Sequence, residues 1–548
     1  MDLAQAGAHS ERASRSPSPD QLLANCALED LAHIGAIQPY ACVLVADPSS
    51  QIILACSKNV GRFLGKEPRE VVGQHLATLL GQNVAGSTLF ISAEEDFALT
   101  LPGVHELPGG PHYVSISARS GTMLVELEPV VPSSLTVMQR QQILHRSYRT
   151  SGKSSVSEIV AEYADRFIEV APFDRVMVYQ FLDDWSGQVI CERGSIFETS
   201  MLGLHFPASD IPAQARKLYQ TSGSRLIADT QAQPVPMVGL RATTPNTTDP
   251  SADGEDLVLT YDLSNARSRA CSKVHILYLE NIGARASFSC SIMFRGQLWG
   301  LIACHHKTPI ALDLQVRLDC ERIARSVSVE LMRVHAERKM QMIENFRLGA
   351  ASLIEILPEN IEHPKDFSPC AEGLCRLLDA DGLAIVKGPE IFSIGTVPTD
   401  DEVANIAEII FSKSEGRSFK TNCLASIYPK ALTYAKDVAG LLTMSTSNLT
   451  SLQPADHLFI WFRREFLATV HWAGRPEKND TAIYLTNGTQ VLSPRSSFEV
   501  WAEERKNSCR PWTSEQIFKA NLWVHNYMRK RNMARVVSSE DLDGLPFR

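Results

Sequence analysis

The sequence lacks the features of a membrane, secreted or nucleic-acid-binding protein. No apolar run approaches the roughly 20 residues needed to cross a bilayer, and residues 1–20 contain no apolar signal segment. There is no basic excess, because 53 Lys and Arg residues face 62 Asp and Glu residues, which gives a formal net charge of −9. A surface that neutralises phosphates is therefore not expected. These absences predict a cytoplasmic chain that binds neither nucleic acid nor membrane.

The sequence also lacks the common signatures of catalysis and of disulfide frameworks. Its 12 cysteines are scattered without a CxxC pair, which is typical of reduced thiols inside the cell. No glycine-rich phosphate loop, GxSxG elbow or HExxH metal motif occurs. We therefore expect neither an enzyme nor a metal centre.

What the sequence does contain is several α+β units. At 548 residues, 44% of them hydrophobic, it is long enough for more than one domain. Alternating apolar residues predict antiparallel strands, with helices between them. The predicted strands are Cys42–Asp47, Ile52–Ser57, His112–Arg119, Thr122–Glu128, Arg175–Phe181, Phe288–Phe294, Leu298–His306 and Leu458–Arg463. Of these, Phe288–Phe294 and Leu298–His306 are expected to be adjacent and joined by a turn at Arg295-Gly296. The predicted helices include Glu67–Leu80, Thr136–Arg149, Val403–Phe411 and a last helix behind a capping box of Thr513 and Gln516. Two polar stretches, 1–22 and 241–256, are predicted to be a disordered tail and a disordered surface insertion.

One helical pattern is unusually long. From Asp313 to about Ser352, apolar residues recur at steps of three and four, and they are Val316, Cys320, Ile323, Val327, Leu331 and Val334. A helix of this length indicates a spine between domains or a dimer seam. A kinked pair of ordinary helices is the alternative.

A short proline-flanked stretch, residues 202–212, holds a single carboxylate. Pro207 and Pro212 deny the backbone on either side of Asp210 and Ile211 regular helix or sheet bonding. Asp210 is thus expected on a stiff, irregular loop whose carbonyls need partners. A surface turn with a solvated Asp is the alternative.

Hydrogen-bonding side chains on or beside the middle strands suggest a ligand pocket. Arginine forks suit carboxylates, hydroxyls add donors, and aromatic side chains suit a flat apolar body. The polar candidates are Asp210, Arg225, Arg269, Ser272, His275, Ser287, Ser289 and His305, and the aromatic ones are Tyr179, Phe206 and Tyr278. The alternatives are a surface charge for each Arg, a core residue for His275, and a metal site at His305 and His306. These residues alone indicate a small-molecule sensor.

Four motifs in order resemble the photosensory core of phytochromes over about residues 22–535. They are FPASDIPAQARKLY, HILYLENIGARASFS, QLWGLIACHH and LSPRSSFEVW. The resemblance implies an α+β PAS–GAF–PHY architecture with antiparallel sheets flanked by helices and a long connecting helix. The implied boundaries are 1–22 for the tail, 23–135 for PAS, 136–318 for GAF and 319–548 for PHY, with a tongue at about 456–510.

The resemblance also implies a cofactor. Phytochromes bind a linear tetrapyrrole in the GAF domain, and members that use biliverdin attach it to a cysteine ahead of the PAS domain. Cys26 occupies that place, on a segment expected to be mobile enough to reach the next domain. Other phytochromes carry a cysteine directly before the histidine of the HILYL run, where this chain has Val274 before His275. The departure favours the bacteriophytochrome-like type, with biliverdin in thioether linkage to Cys26; Cys271 is close to that place but off position.

The same resemblance assigns roles to the pocket residues. Asp210, Ile211, Pro212 and His275 would surround the pyrrole nitrogens, with His305 near the D ring. Arg225, Arg269, Ser272, Ser287 and Ser289 would face the propionates, while Tyr179, Phe206 and Tyr278 would pack about the D ring. Arg495, in the PRSSF motif with Ser497, would reach from the tongue and pair with Asp210 in the red-absorbing state. Isomerisation of the pigment would then bias the tongue and the long helix.

The resemblance further implies a homodimer and a downstream output domain or response regulator. Up to Arg548 the sequence contains no kinase segment, and we expect either a truncated sensory core or an output delivered by the helices alone. The chain departs from the family pattern at Tyr40-Ala41, at Ser268 and in the long 241–256 stretch. The rival interpretation is a PAS–GAF sensor of a diffusible ligand, such as a cyclic nucleotide, without pigment.

Overall fold

The computed structural model describes residues 21–22, 25–26, 28–88, 97–119, 121–194, 196–239, 257–258, 260–358, 361–413, 416–447, 456–476, 482–485 and 488–538. The predicted insertion 241–256 and the predicted tail up to residue 20 lie outside these ranges. The chain forms two compact units. The first comprises Met1–Val334 and His471–Trp501, and the second comprises His335–Val470 and Ala502–Arg548.

The N-terminal sheet is built as the alternating pattern predicts. Its strands β1 to β7 are Ala36–Ile37, Cys42–Ala46, Ile53–Ser57, Phe97–Thr100, His105–Leu107, Gly110–Arg119 and Thr122–Pro129. Helices α1 to α4 are Gly61–Leu64, Pro68–Val71, Leu76–Leu80 and Gln82–Thr88. The single helical patch predicted at 67–80 is therefore wrong, because Gly73 adopts a φ of 85° between α2 and α3 and ends the helical run.

The middle sheet carries most of the predicted pocket residues. Its flanking helices α5 to α8 are Val137–Tyr148, Val156–Val170, Ala213–Thr221 and Lys273–Asn281. The strands β8 to β15 are Arg175–Phe181, Gly187–Arg193, His205–Phe206, Ser224–Ile227, Val235–Gly239, Leu257–Val258, Ala286–Phe294 and Gln297–His306. The order of the middle sheet is β11-β14-β15-β8-β9-β10.

Two strands of this region, β12 and β13, join the N-terminal sheet instead, whose order is β1-β12-β3-β2-β7-β6-β4 with β13 paired to β12 and β5 to β6. The predicted turn between β14 and β15 is confirmed. Arg295 and Gly296 both have positive φ, 52° and 76°, as a tight hairpin of this hand requires.

The long helical pattern forms one helix, α9, which spans Leu314–Glu355 and contains 42 residues. The alternative of two kinked helices is therefore wrong. The apolar stripe is buried in the core of the middle sheet from Val316 to Val334. Burial of this stripe stabilises the first turns of a helix that is far longer than propensity alone would hold.

The C-terminal sheet belongs to the second unit and is buried on both faces. Its order is β17-β16-β20-β19-β18. The strands β16 to β20 are Gly382–Lys387, Glu390–Gly395, Ser418–Thr421, Gly440–Ser445 and Leu458–Arg463, and the helices α10 to α12 are Ser368–Leu378, Asp400–Lys413 and Ser514–Ser538. In β20, Phe459 and Trp461 pack with α10 and α12, whereas Ile460 and Phe462 pack with α11. This two-sided burial explains why β20 is an unbroken apolar run.

The remaining strands lie within the predicted tongue, residues 456–510. Strands β21 to β24 are Ala468–Ala473, Ala482–Tyr484, Gln490–Leu492 and Val500–Arg505. The part that groups with the first unit, residues 471–501, is called the tongue below. In the described residues, none of the helices combines the length and the hydropathy that crossing a bilayer would require.

A buried ion pair fixes the first turn of α9. Arg317 bonds to Glu128 of β7, and both side chains are nearly inaccessible to water, at 2% and 4% exposure. Burial raises the pKa of Glu128, while Arg317 beside it acts in the opposite direction. A charge in such a place depends on its partner, because removal of one partner leaves the other desolvated and unpaired.

Arg317→Met should therefore lower the free energy of unfolding of the first unit by about 3–5 kcal/mol. The added change Glu128→Gln should restore part of this loss, because it removes the orphaned charge. Arg325→Met is the control, since Arg325 is 74% exposed and 3.4 Å from Glu321, and it should cost about 1 kcal/mol or less. Denaturant unfolding measures all three. Equal losses for Arg317→Met and Arg325→Met would contradict the account.

Candidate functional site

The middle sheet has two faces of different chemistry. Alternate residues of β14 and β15, such as Phe288, pack into the core with α6 and α9. The residues between them point to the other side of the sheet. There Ser287 pairs in register with His305, and Ser289 pairs with Arg225 of β11. We call this second side the polar face; it brings together four of the predicted pocket residues.

The helices beside the polar face bury little of themselves. Helix α7 has no buried residue among those described, and α8 has only Leu279. Yet α7 contacts the sheet, because the hydroxyls of Tyr219 and Ser289 lie 2.9 Å apart. A helix that covers a sheet normally buries a stripe of side chains. A helix beside a ligand site would show such small burial, although Ser287, Ser289 and His305 of the polar face are themselves buried. The space between the polar face and these helices is called the cleft below.

Asp210 lies at the edge of this cleft, just before the start of α7. The expected irregular loop is partly wrong, because Ala208–Asp210 forms one 3-10 turn, with Pro207 as its N-cap and Pro212 as the N-cap of α7. Arg216 on α7 donates to the carbonyl of Ile211 at 2.7 Å, which fixes the turn from below. The two prolines therefore separate two short helical segments.

The carboxylate of Asp210 forms an ion pair with Arg495 of the tongue. The side chains of Asp210 and Arg495 are only 5% and 3% exposed, so water screens the pair weakly. Burial, reinforced by the neighbouring Asp210, holds the pKa of Tyr278 of α8 well above its ordinary value. The alternative of a solvated Asp210 is wrong.

The backbone of Arg495 is also hydrogen-bonded, to a residue outside the tongue. Asn281 of α8 donates to the carbonyl of Arg495 at 2.9 Å. The guanidinium group of Arg495 also donates to the carbonyl of Ala473 and lies 5.1 Å from the ring centre of Phe498. Trp472 of β21 pairs in register with His205 of β10, in parallel. The tongue is thus joined to the middle sheet by backbone, apolar and ionic contacts.

The predicted aromatic residues meet beneath this ion pair. Tyr179 and Phe206 are buried, with ring centres 5.8 Å apart. The rings of Tyr278 and Phe498 meet edge to face at 5.1 Å, and those of His275 and Tyr278 stack at 6.1 Å. Tyr179 itself fills the space above Gly187, where even a Cβ would lie 1.8 Å from its ring.

Both histidines of the pocket are neutral. Burial, with Arg175 and His275 acting in the same direction, lowers the pKa of His305 to about 3. Burial and Arg225 lower the pKa of His275 to about 4. Within the described residues, the Nδ1 atom of His305 and the hydroxyl of Tyr179 are buried without a hydrogen-bond partner. Such atoms are costly, and they fit a ligand that offers complementary polar groups.

His305 and His306 do not converge on one site. They alternate along β15, so His306 lies on the opposite side, with its Nδ1 atom 3.5 Å from Asp174. Across the described ranges, no group of three or more His, Cys, Asp or Glu side chains is placed to hold a metal ion.

The predicted carboxylate clamps are occupied by the protein itself. Arg225 donates to the carbonyls of Arg267 at 3.1 Å and Ala270 at 3.0 Å, and Arg269 donates to that of Ser264 at 3.3 Å. Burial and the neighbouring Arg225 lower the pKa of Arg269 to about 9. The backbone carbonyls thus satisfy guanidinium groups that the sequence alone suggested for a ligand.

Two placements on α8 differ from the expectation. His275 and Tyr278 lie on this helix and not on a strand, because the apolar HILYL run follows a capping residue. That residue is Ser272, whose hydroxyl accepts from the amide of Val274 and donates to Glu29 at 2.7 Å.

Cys26 is buried, at 7% exposure, with Leu485, Val491 and Leu492 of the tongue and with Val274 of α8. The expectation that this segment reaches the neighbouring domain agrees with the contact to Val274, and the mobility of the segment stays a prediction. Ser497, predicted for signalling, is exposed, and its hydroxyl accepts from the amide of Glu499 at 3.3 Å.

Sequence reasoning missed two contacts of the tongue and one contact of Cys26. Phe498 stands in the quoted PRSSF motif, yet its contact with Tyr278 was not predicted. Gly474 is a lone glycine that lies close to the Ser497 carbonyl, and no local sequence pattern predicts this close approach. Gln214 stands in the AQAR part of the first motif and proves to contact Cys26.

Gly474→Ala should loosen the tongue. A Cβ there would lie 2.1 Å from the carbonyl oxygen of Ser497, and the φ of 80° is itself unfavourable for alanine. Gly488→Ala is a matched control, because Gly488 has the same φ with open space around it. We expect limited proteolysis to cut within 471–501 much faster in Gly474→Ala than in Gly488→Ala. Equal cleavage rates would show that the close approach at Ser497 does not hold the tongue.

Comparison with known proteins agrees with this architecture. The models of the PAS fold, the GAF domain and the phytochrome region match residues 26–130, 155–331 and 349–528. Cyanobacterial phytochrome B of Nostoc sp. is 31% identical over 90% of this chain and 64% of its own length. A bacteriophytochrome of Pseudomonas aeruginosa is 29% identical over 90% of this chain and 65% of its own length. The chain therefore spans just under two thirds of these relatives.

Solved structures give the same result. The crystal structure of bacteriophytochrome RpBphP3 from the photosynthetic bacterium R. palustris has a TM-score of 0.76 and 28% identity, and the match covers 93% of this chain and 99% of that one. The photosensory core module of the Stigmatella aurantiaca phytochrome matches with a TM-score of 0.76 and 27% identity, over 94% of this chain and 98% of that one. With three domain models in order and structural matches along nearly its whole length, the chain belongs to the phytochrome family and has its PAS–GAF–PHY core.

Proposed function

We propose that this chain is a red/far-red light receptor that carries biliverdin in thioether linkage to Cys26. The observation that carries the proposal is the buried ion pair between Asp210 and Arg495, which connects the turn before α7 to the tongue. A ligand in the cleft thereby acts on a charge whose partner lies on another segment of the chain. Phytochrome and bacteriophytochrome relatives support a bilin as that ligand.

The cleft has the chemistry that a linear tetrapyrrole requires. The buried Tyr179 hydroxyl and the His305 Nδ1 atom have no partner among the described residues, so both are available to the polar groups of a ligand. Tyr179, Phe206 and Tyr278 would pack against its rings, and His275 would stack beside them. Ser287 and Ser289, with Arg225, Arg269 and Ser272, would face its propionates. The two arginines would exchange some backbone carbonyls for those carboxylates.

Biliverdin is favoured over other bilins by where the thiols lie. Val274 stands directly before His275, so that position has no thiol. Cys26, by contrast, is brought against Val274 by the fold. When bound, the pigment would supply red-light absorption and isomerisation at the bridge between its C and D rings.

The residues of the chain would convert that change into movement of the tongue. A neutral His275 and a neutral His305 leave Arg495 as the cation that balances Asp210. A shift at the Asp210 turn would separate the pair, and an unpaired buried charge is unstable enough to drive a rearrangement. The tongue and α9 would then pass the change to an output domain, a response regulator or the partner of a homodimer. We place this activity in the cytoplasm, in a sensory chain with the three domain boundaries expected above.

Expression with a source of biliverdin tests the proposal. The purified chain should be green, should change its absorbance reversibly in red and far-red light, and should keep its pigment after denaturation. Cys26→Ala should lose the pigment on denaturation and keep a noncovalent fraction before it. Cys271→Ala is the control, because Cys271 is a half-buried thiol 3.1 Å from Arg225 of the pocket, and it should retain the linkage. A colourless wild-type chain would contradict the proposal and favour a pigment-free sensor of a diffusible ligand.

A further inference from the structure

The segment that carries Cys26 is held by hydrogen bonds from two sides. On the tongue side, Asn25 donates its side-chain amide to the carbonyl of Gln490 at 2.9 Å. The thiol of Cys26 lies 3.8 Å from the carbonyl oxygen of Leu492, which is a weak contact. On the side of the middle sheet, Gln214 of α7 donates its side-chain amide to the carbonyl of Cys26 at 2.6 Å. The bond from Gln214 is the shortest of the three.

The orientation of the Gln214 amide follows from its partner. A backbone carbonyl can only accept, so the nitrogen and not the oxygen of the side chain must face Cys26. The oxygen, Oε1, is buried and has no hydrogen-bond partner within the described residues. The amide nitrogen of Gln214 thus donates to the backbone of Cys26, while its amide oxygen remains a buried acceptor beside the cleft.

The two sides differ in how they would respond to the tongue. Residues 490 and 492 belong to the tongue, so their contacts depend on its arrangement. Gln214 lies on α7, outside the tongue, four residues after Asp210. The backbone of Cys26 therefore has one hydrogen bond to a residue that does not belong to the tongue.

We propose that Gln214 is the positioning residue for thioether formation at Cys26. The inference rests on the proposed function and names a residue that prepares the thiol for it. In the reaction an S–C bond forms and the π bond of a vinyl group breaks; the thiol loses one proton and the other vinyl carbon gains one. No oxidant is needed. Gln214 contributes by holding the backbone of Cys26, which reduces the freedom that the thiol loses in reaching the vinyl group.

The test compares Gln214→Ala and Gln214→Glu with the wild-type chain. Glu has the same shape but offers no donor to the Cys26 carbonyl, so a merely space-filling role would be preserved in it. Biliverdin is added to apo-protein, samples are quenched in acid over time, and covalent pigment is read by zinc fluorescence on a denaturing gel. One hydrogen bond corresponds to roughly a threefold to tenfold change, and both variants should attach pigment more slowly by that factor. Absorbance before denaturation should show that total binding is unchanged.

Gln188→Ala is the matched control. Gln188 also donates a side-chain amide to a backbone carbonyl of the same unit, that of Gly203 at 3.3 Å, but this hydrogen bond is exposed to solvent. It should attach pigment at the wild-type rate. If either Gln214 variant attaches at that rate while the wild type becomes covalently pigmented, the inference is wrong and the proposed function stands. If the wild type takes up no pigment, the proposed function is wrong.

A second measurement needs no pigment. Alkylation of Cys26 by iodoacetamide in apo-protein, followed by mass spectrometry, reports how firmly the segment is held. The Gln214 variants should alkylate Cys26 faster than both the wild type and Gln188→Ala. Equal alkylation rates would show that Gln214 does not hold Cys26.

Discussion

The buried ion pair between Asp210 and Arg495 is the contact on which the arrangement of the first unit depends. Its partners are 285 positions apart in the chain, and both are almost fully enclosed. Charges in such an environment attract strongly but have lost most of their hydration, so the pair is stable only while both members are present. Around it, the carboxylate raises the pKa of the neighbouring Tyr278, and the carbonyl of Ala473 accepts from the guanidinium group. The Asp210–Arg495 ion pair can thus be either formed or broken, with no stable intermediate in which one charge is buried alone.

The alternation of side chains across β14 and β15 determines where this constraint acts. The core face is apolar and is sealed by α6 and α9. The polar face collects serines, His305 and Arg225, and is flanked by helices that bury little. The proposed ligand site therefore lies on one face of β14 and β15, and helix α9 packs against the other face. Movement at the site and packing of α9 then concern opposite sides of the same two strands.

The sequence predicted those parts of the structure that depend on neighbouring residues. The strand alternation, the Arg295-Gly296 turn, the capping box at Thr513 and the unbroken α9 all follow from local spacing. It did not predict the helical placement of His275 and Tyr278, because a short apolar run fits a strand or a helix equally well. The Asp210–Arg495 pair came from resemblance, not from spacing.

Contacts between distant segments were hardest to foresee. The arginines expected to clamp carboxylates are instead bonded to carbonyls of the 264–270 loop, and the thiol expected on a mobile segment is packed against the tongue. The sequence shows which positions carry a hydrogen-bond donor and which carry an apolar side chain. The fold decides which acceptor or which surface it meets.

The most direct test is amide hydrogen exchange of the tongue in the pigment-loaded chain, measured in darkness and under red light. The account predicts that light changes the protection of peptides from 488–501, while the buried strands β19 and β20 of the second unit keep theirs. In Arg495→Ala the same peptides should already exchange faster in darkness, and light should add little. Identical exchange of 488–501 in darkness and light in the wild type would contradict the claim that a broken ion pair releases the tongue.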